Sequence, residues 1–386
     1  MKSGQRSFFF LIALIGGLAI FSSTLSKTPV LPLFALSLHA TPAEIGWIVM
    51  ASTIPGVLIS YPAGALSDYL GKRCLLLASL VVFASAPFLY LLIETPWQLM
   101  AVRFYHGFAT AIFGTVASAA IAERYTADRA ARLSTYSSIT IVGRSVAPFL
   151  GGFLISLASF NAVYIACAIS GVLALGAGLL LSDDEPKPTV KRERPPFWSS
   201  LVTVLRDRGI MLVSGVEAAQ YLVFGAIEAF IALYAAALGI PAWQIGVILG
   251  VQLVSIVFAK PLMGRVSDRV GRKQVIIPGL LVGAASVALL PFAPNFIGLS
   301  VLSLAFGIGF ATVTSSTAAL VADLTRNGRY GSSMGVLRTV MDVGQSIGPV
   351  LTGWMVGVAG YGSAFSLLAA ILLSAALLLG LLFREP

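Results

Sequence analysis

Long apolar stretches separated by short polar ones occupy almost the whole chain. A helix needs about 20 predominantly apolar residues to cross a bilayer, and twelve stretches come close to or exceed that length. They cover residues 8–34, 44–66, 74–93, 97–122, 133–157, 161–181, 209–237, 242–263, 274–293, 295–322, 333–357 and 361–383. The pattern therefore predicts an all-α integral membrane protein with twelve transmembrane helices.

The polar loop after the second predicted span is repeated after the eighth, 200 residues later. The first copy contains Gly64, Asp68, Gly71, Lys72 and Arg73, and the second contains Gly264, Asp268, Gly271, Arg272 and Lys273. A self-match at a fixed period indicates repeated structural units. We therefore predict two pseudo-symmetric six-helix bundles, residues 1–181 and 209–386, joined by a polar cytoplasmic linker at 182–208.

The distribution of charge predicts the orientation of the chain in the membrane. Only 11% of the residues are charged, against roughly 25% in soluble proteins. The loops after the odd-numbered spans contain no Lys or Arg, so the basic loops on the other side predict cytoplasmic N- and C-termini in a cytoplasmic (inner) membrane. The net charge of +9 is scattered over hairpins, which favours contact with the lipid bilayer over nucleic-acid binding.

Catalytic chemistry is not indicated. Neither a Cys/His cluster with metal-ligand spacing nor a catalytic constellation is found in the sequence. We therefore expect no metal, no cofactor and no enzymatic activity. A non-transporting receptor and a lipid-acting enzyme remain the alternatives from other classes, and both are disfavoured.

The repeated loop resembles the signature loop of the major facilitator superfamily, which consists of twelve-helix secondary transporters. The spacing excludes a phosphate-binding loop, since six residues separate Gly64 from Gly71, whereas that motif requires four. The resemblance implies that the ten residues of the two copies form a cytoplasmic gate. It also implies two contacts when this gate is shut. Asp68 would contact the start of the eleventh helix, and Asp268 would contact the start of the fifth helix.

Two further features resemble the drug/proton antiporter branch of this family. The first span ends in Pro29 and Pro32, which also predict a kink or break in the helix. A motif similar to the antiporter motif of exporters contains Gly143, Pro148, Gly151 and Gly152, and its repeat contains Gly344, Gly348 and Pro349. Close helix packing would also explain small residues four positions apart, so both interpretations stay open.

We assign seven charged side chains to the interior of the membrane, namely Lys27, Arg103, Arg144, Glu217, Glu228, Arg338 and Asp342. Each costs roughly 2.5–3.5 kcal/mol at the centre of a lipid-facing helix. We therefore expect them to face one another or an aqueous cavity between the bundles. Arg103 with Gly107 resembles a second family motif, whose Arg is associated with proton coupling. The leading candidate for proton coupling is Glu228, and Asp342 is the second. Arg103 and His106 are assigned to the same function.

The predicted substrate-binding residues are Lys27, Arg144, Glu217, Tyr221, Phe224, Tyr136 and Arg338. Glu217, Tyr221 and Phe224 share one face of the seventh helix with Glu228. Ion pairs between helices and ordinary core packing are the competing interpretations. For Arg338 and Asp342, one turn apart, a simple ion pair is favoured.

The sequence thus predicts a monomeric secondary transporter of a small molecule. The favoured function is proton-coupled antiport that exports a small amphipathic solute or drug, neutral or anionic, by alternating access. Cationic drugs are disfavoured because the first bundle has embedded cations and no embedded acid. The alternative is uptake or exchange of an organic anion held by Lys27, Arg103 and Arg144.

Overall fold

The computed structural model describes residues 3–125, 128–181, 206–325 and 330–383. All regular structure in these ranges is helical. The helices are α1 (Ser3–Leu25), α2 (Val30–Ser37), α3 (Pro42–Ala51), α4 (Ile54–Leu70), α5 (Lys72–Tyr90), α6 (Pro96–Arg124), α7 (Arg129–Leu157), α8 (Phe160–Leu179), α9 (Arg208–Ala237), α10 (Ala242–Val270), α11 (Arg272–Leu289), α12 (Phe296–Leu324) and α13 (Tyr330–Leu382), with a 3-10 turn at Leu290–Phe292.

Eleven helical intervals in the described residues are long and apolar enough to cross a membrane. Ten correspond to the first ten predicted spans, and the last, Ser333–Leu382, covers both remaining ones. Gly360 interrupts this interval with φ 79°, a left-handed conformation that glycine adopts without steric cost. The all-α membrane class is confirmed, whereas the count of twelve helices and the cytoplasmic termini stay predictions.

Two of the predicted spans are each built from two helices. A turn at residues 26–29 separates α1 from α2, as Pro29 and Pro32 led us to expect. A second break, at Ser52 and Thr53 between α3 and α4, was not predicted. Pro55 lies in the first turn of α4 and has no N–H to donate to the carbonyl of Ala51. This proline was the available signal for the break.

The chain divides into two compact units. Unit 1 comprises Met1–Ala40, Trp47–Lys191 and Pro241–Gly246, and unit 2 comprises Thr41–Gly46, Arg192–Ile240 and Val247–Pro386. Each unit thus includes a six-residue segment from the other half of the sequence. The bundle boundaries at 181 and 209 stay predictions, and the predicted linker falls mostly outside the described residues.

Each unit has a tightly packed interior. In unit 1, α5 packs on α6 and α8, and α1 packs on α7 and α8. In unit 2, α9 packs along α13, and α11 packs on α12 and α13. Phe83 and Phe113 are fully buried in unit 1, as are Phe230 and Phe365 in unit 2. Because lipid tails are as apolar as these side chains, close packing holds such helices together.

Candidate functional site

Both signature loops turn at a glycine with positive φ. Gly71 joins α4 to α5 at φ 83°, and Gly271 joins α10 to α11 at φ 111°. Most other residues are strained in this region, which explains glycine at both positions. The side chain of Asp68 and the surroundings of Gly64 lie outside the described part of the chain.

The first basic residue of each loop pairs with a carboxylate at the end of a helix in its own unit. Lys72 Nζ lies 2.9 Å from Glu123 Oε2, and Arg272 Nε lies 3.0 Å from Asp323 Oδ2. Arg272 also contacts Asp268 of its own loop. Contact of Asp268 with the fifth transmembrane helix stays a prediction.

The second basic residue of each loop binds the end of the last helix of its unit. Arg73 donates to the carbonyl of Leu179 at 3.2 Å, and Lys273 donates to those of Gly380 and Phe383 at 2.8 and 2.6 Å. Carbonyl groups in the last turn lack intrahelical donors and attract cations. Each loop therefore ties together several helices of one unit, which the sequence did not indicate.

A double-mutant cycle of Arg272→Ala and Asp323→Ala should give a coupling energy of about 0.2–1 kcal/mol, typical of a solvent-exposed ion pair. Salt should weaken this coupling because the pair is partly screened. The coupling energy is measured by thermal unfolding of the detergent-solubilised single and double variants at low and high ionic strength. Additive effects of the two substitutions at low salt would show that the pair contributes nothing to stability.

Arg103 lies inside unit 1 with a 4% exposed surface. Its Nη2 donates to Ser52 Oγ at 2.8 Å and its Nη1 to the Tyr90 hydroxyl at 3.4 Å. The Tyr90 oxygen lies 3.3 Å from His106 Nδ1, and its ring stacks on that of Tyr164 at 4.5 Å. The structure thus brings Arg103 and His106 together, with two hydrogen-bonding partners, Ser52 and Tyr90, that sequence reasoning missed.

Gly107 has a packing role that is shared by its counterpart Gly307. A Cβ atom at Gly107 would lie 2.4 Å from the carbonyl oxygen of Ser52, and one at Gly307 would lie 2.6 Å from that of Gln252. Both contacts therefore require glycine, and they are related by the period of 200 residues. Arg103 is not repeated, since Ser303 replaces it. Helix packing therefore explains Gly107 but does not explain Arg103.

Two embedded carboxylates lie on α9 in unit 2. Glu217 is 3% exposed and lies in hydrogen-bonding distance of Thr317 on α12. Glu228 is 9% exposed. Lys260 on α10 interacts electrostatically with Glu217. Sequence reasoning missed Lys260, although it lies within the predicted span 242–263 and could have been counted there.

Three aromatic rings form a cluster in unit 2. Tyr221 and Phe224 of α9 approach Phe310 of α12, with ring centroids 5.0 and 4.4 Å away. The structure therefore brings together two predicted binding residues and adds Phe310. Tyr136 packs in the core of unit 1, where a Cβ atom at Gly16 would lie 2.5 Å from its ring.

The remaining predicted site residues differ in exposure. Lys27 is half-buried in the turn between α1 and α2, whereas Arg144 and Arg338 are exposed. Asp342 is half-buried and interacts electrostatically with Arg338, one turn earlier on α13. The binding and proton-coupling roles of all these residues stay predictions.

The glycines of the antiporter-like motifs make close contacts with backbone atoms. In unit 1, a Cβ at Gly152 would lie 2.4 Å from the carbonyl oxygen of Ala242. In unit 2, Cβ atoms at Gly344 and Gly348 would lie 2.3 and 2.0 Å from the carbonyl oxygens of Ala218 and Leu222. Close packing therefore explains these three glycines without reference to transport.

Comparison with known proteins identifies the family. The sequence model of the Major Facilitator Superfamily matches residues 9–251 and 213–386. The chain is 26% identical over 363 residues to the staphyloferrin B transporter of Staphylococcus aureus, which covers 90% of this chain and 86% of that protein. It is 24% identical over 330 residues to the quinolone resistance protein NorA of the same species, with 84% of each chain covered.

A solved structure agrees with this result. The nucleoside transporter NupG superimposes with a TM-score of 0.80 at 14% identity, over 98% of this chain and 100% of that one. This likeness shows the fold, and the sequence relatives include a quinolone resistance protein. The chain therefore belongs to the Major Facilitator Superfamily and is a multi-pass membrane transporter, not an enzyme.

Proposed function

We propose that the protein is a monomeric proton-coupled antiporter that exports a small amphipathic solute across the cytoplasmic (inner) membrane. The observation that carries this proposal is the burial of Glu228, a residue that is 9% exposed on α9, a helix long and apolar enough to cross a membrane. Protonation removes a charge that is costly to bury at this depth. A proton therefore stabilises whichever conformation buries Glu228 more deeply and shifts the equilibrium toward it.

Asp342 is the second candidate for proton coupling. It is half-buried on α13, and protonation would remove its attraction to Arg338. Arg103 and His106 are proposed to assist from unit 1. We assign the gating role to the two signature loops, whose ion pairs and helix caps would hold each unit rigid while the protein alternates between its states.

The charges of unit 1 favour a neutral or anionic substrate. Lys27, Arg103 and Arg144 are cations, so a cationic drug would be repelled from their surroundings. In unit 2, we assign contact with the apolar part of a substrate to the aromatic cluster of Tyr221, Phe224 and Phe310. Similarity to the quinolone resistance protein NorA over 84% of both chains supports drug export.

The second candidate function is uptake or exchange of an organic anion. The exposed guanidinium of Arg144 on α7 favours it, because arginine binds carboxylates in a bidentate geometry. Arg103 argues against a clamp of three cations, since its hydrogen bonds to Ser52 and Tyr90 would have to break first. We therefore place this function second.

A counterflow screen in proteoliposomes at two pH values tests the proposal. Quinolones, cationic dyes and organic carboxylates would be compared as competitors of a labelled substrate. We expect neutral or anionic amphipathic compounds to exchange, with a rate that changes with pH, and cationic dyes to have no effect. Exchange restricted to carboxylates and independent of pH would support the second candidate and contradict the first.

A further inference from the structure

A polar stripe lies in the interior of unit 2 on α9. Ser214, Glu217 and Gln220 are spaced three residues apart, which places them on one side of the helix, and their exposed fractions are 0%, 3% and 0%. The positions 200 residues earlier in the sequence are all apolar. The stripe is therefore specific to unit 2 and is not part of the repeated framework.

The two oxygen atoms near the Thr317 hydroxyl favour a protonated Glu217. Thr317 Oγ1 lies within hydrogen-bonding distance of two oxygen atoms, the Val313 carbonyl oxygen at 2.9 Å and Oε2 of Glu217. A threonine hydroxyl has one proton and can donate it to one of them. Carbonyl and ionised carboxylate oxygens only accept, so an ionised Glu217 would have to share the one hydroxyl proton with the Val313 carbonyl. A protonated Glu217 donates to Thr317 while Thr317 donates to Val313, so that each contact has a proton of its own.

The surroundings of Glu217 agree with a neutral carboxyl group. An ionised carboxylate is strongly destabilised when it is buried without a close counter-ion. Lys260 on α10 favours the ionised form electrostatically, but its side chain is exposed, and solvent and salt screen such a charge. On α13, Arg338 and Asp342 interact electrostatically with each other. On α12, the residue in contact with Glu217 is the neutral Thr317.

We propose that Glu217 is a proton-binding site separate from Glu228, in which the neutral carboxyl group donates a hydrogen bond to Thr317. When α9 and α12 move apart, the O–H bond breaks and the proton passes to water, which leaves a carboxylate beside Lys260. The two acids are eleven residues apart, about 16 Å along the helix. The role of this site in transport rests on the proton coupling proposed above.

Infrared difference spectroscopy between neutral and alkaline pH tests the protonation directly, without a transport assay. The wild-type protein should show the carbonyl stretching band of a buried carboxylic acid, and Glu217→Gln should lack it. Thr317→Val should shift the band to higher frequency, because the acid loses its acceptor. Glu44→Gln is the matched control, since it removes a surface carboxylate that caps α3, and it should keep the band unchanged.

Transport assays separate this site from the function proposed for the whole protein. A glutamine amide in place of the Glu217 carboxyl group can donate to Thr317 as the acid does, so Glu217→Gln should keep its melting temperature. Its substrate counterflow is measured alongside, so that a loss of substrate binding is distinguished from a loss of proton coupling. Transport driven by a pH gradient should fall by about tenfold, which corresponds to 1.4 kcal/mol.

Three outcomes are informative. A band unchanged in Glu217→Gln, or unshifted in Thr317→Val, would overturn the proposed site. A band that responds as expected, in a protein whose wild-type transport ignores the pH gradient, would support the proton site and contradict proton-coupled antiport. Loss of both the band and the gradient-driven transport would support both.

Discussion

Gly353→Ala should lower the thermal stability of the protein and abolish most of its transport. The new Cβ atom would lie 2.2 Å from the carbonyl oxygen of Pro42 and 3.1 Å from Cζ of Phe230. Backbone atoms cannot rotate away as a flexible side chain can, so α3 and α13 would have to move apart. Overpacking of this kind typically costs about 1–3 kcal/mol.

Gly357→Ala provides the matched control for this substitution. Gly357 lies one turn further along the same helix, and no atom lies within 4 Å of a Cβ added there. Because alanine favours a helix over glycine by up to about 1 kcal/mol, this variant should be as stable as the wild type or more stable. Melting temperatures and counterflow rates of both variants decide the matter. Equal losses in both, or none in Gly353→Ala, would contradict the packing argument.

Similar contacts occur at the start of α3 and of α10. A Cβ atom at Gly46 would lie 2.5 Å from the carbonyl oxygen of Pro349, and one at Gly246 would lie 2.5 Å from that of Pro148. These positions are related by the 200-residue period, with one residue inserted before Pro349. The repeated glycines and prolines therefore serve the same close contact in each unit.

Glu228→Gln has the second large expected effect, which is the loss of transport driven by a pH gradient. Glutamine has nearly the shape of a protonated glutamate and cannot release a proton, so the variant should fold and exchange substrate. Accumulation against a gradient should fall by roughly tenfold or more, a change of at least 1.4 kcal/mol in coupling. Asp342→Asn should reduce the accumulation of substrate less than Glu228→Gln does.

The lengths of the apolar stretches were sufficient to predict the membrane class and the positions of ten spans, and Pro29 and Pro32 predicted the break between α1 and α2. The repeated loop was sufficient to identify the family, because two glycines, an aspartate and two basic residues recur at one spacing. These features are local in sequence. They could therefore be read without knowledge of the tertiary structure.

The partners of the buried charges could not be predicted in this way. Arg103 bonds Tyr90 and Ser52, which are 13 and 51 residues away in sequence, and no local pattern links them. The position of Tyr136 in a core is a similar case, since an aromatic residue on a helix face suits both a core and a cavity. Lys260 could have been identified from the sequence, because burying a lysine within an apolar span is energetically costly and requires a polar or charged partner.

Proton movement during substrate efflux tests the central claim most directly. Proteoliposomes would be loaded with substrate and a trapped pH-sensitive dye, and efflux would then be started by dilution. Antiport predicts that the lumen becomes acidic as substrate leaves, and that Glu228→Gln abolishes this change. Substrate efflux with a constant or rising lumenal pH in the wild-type protein would contradict proton-coupled antiport.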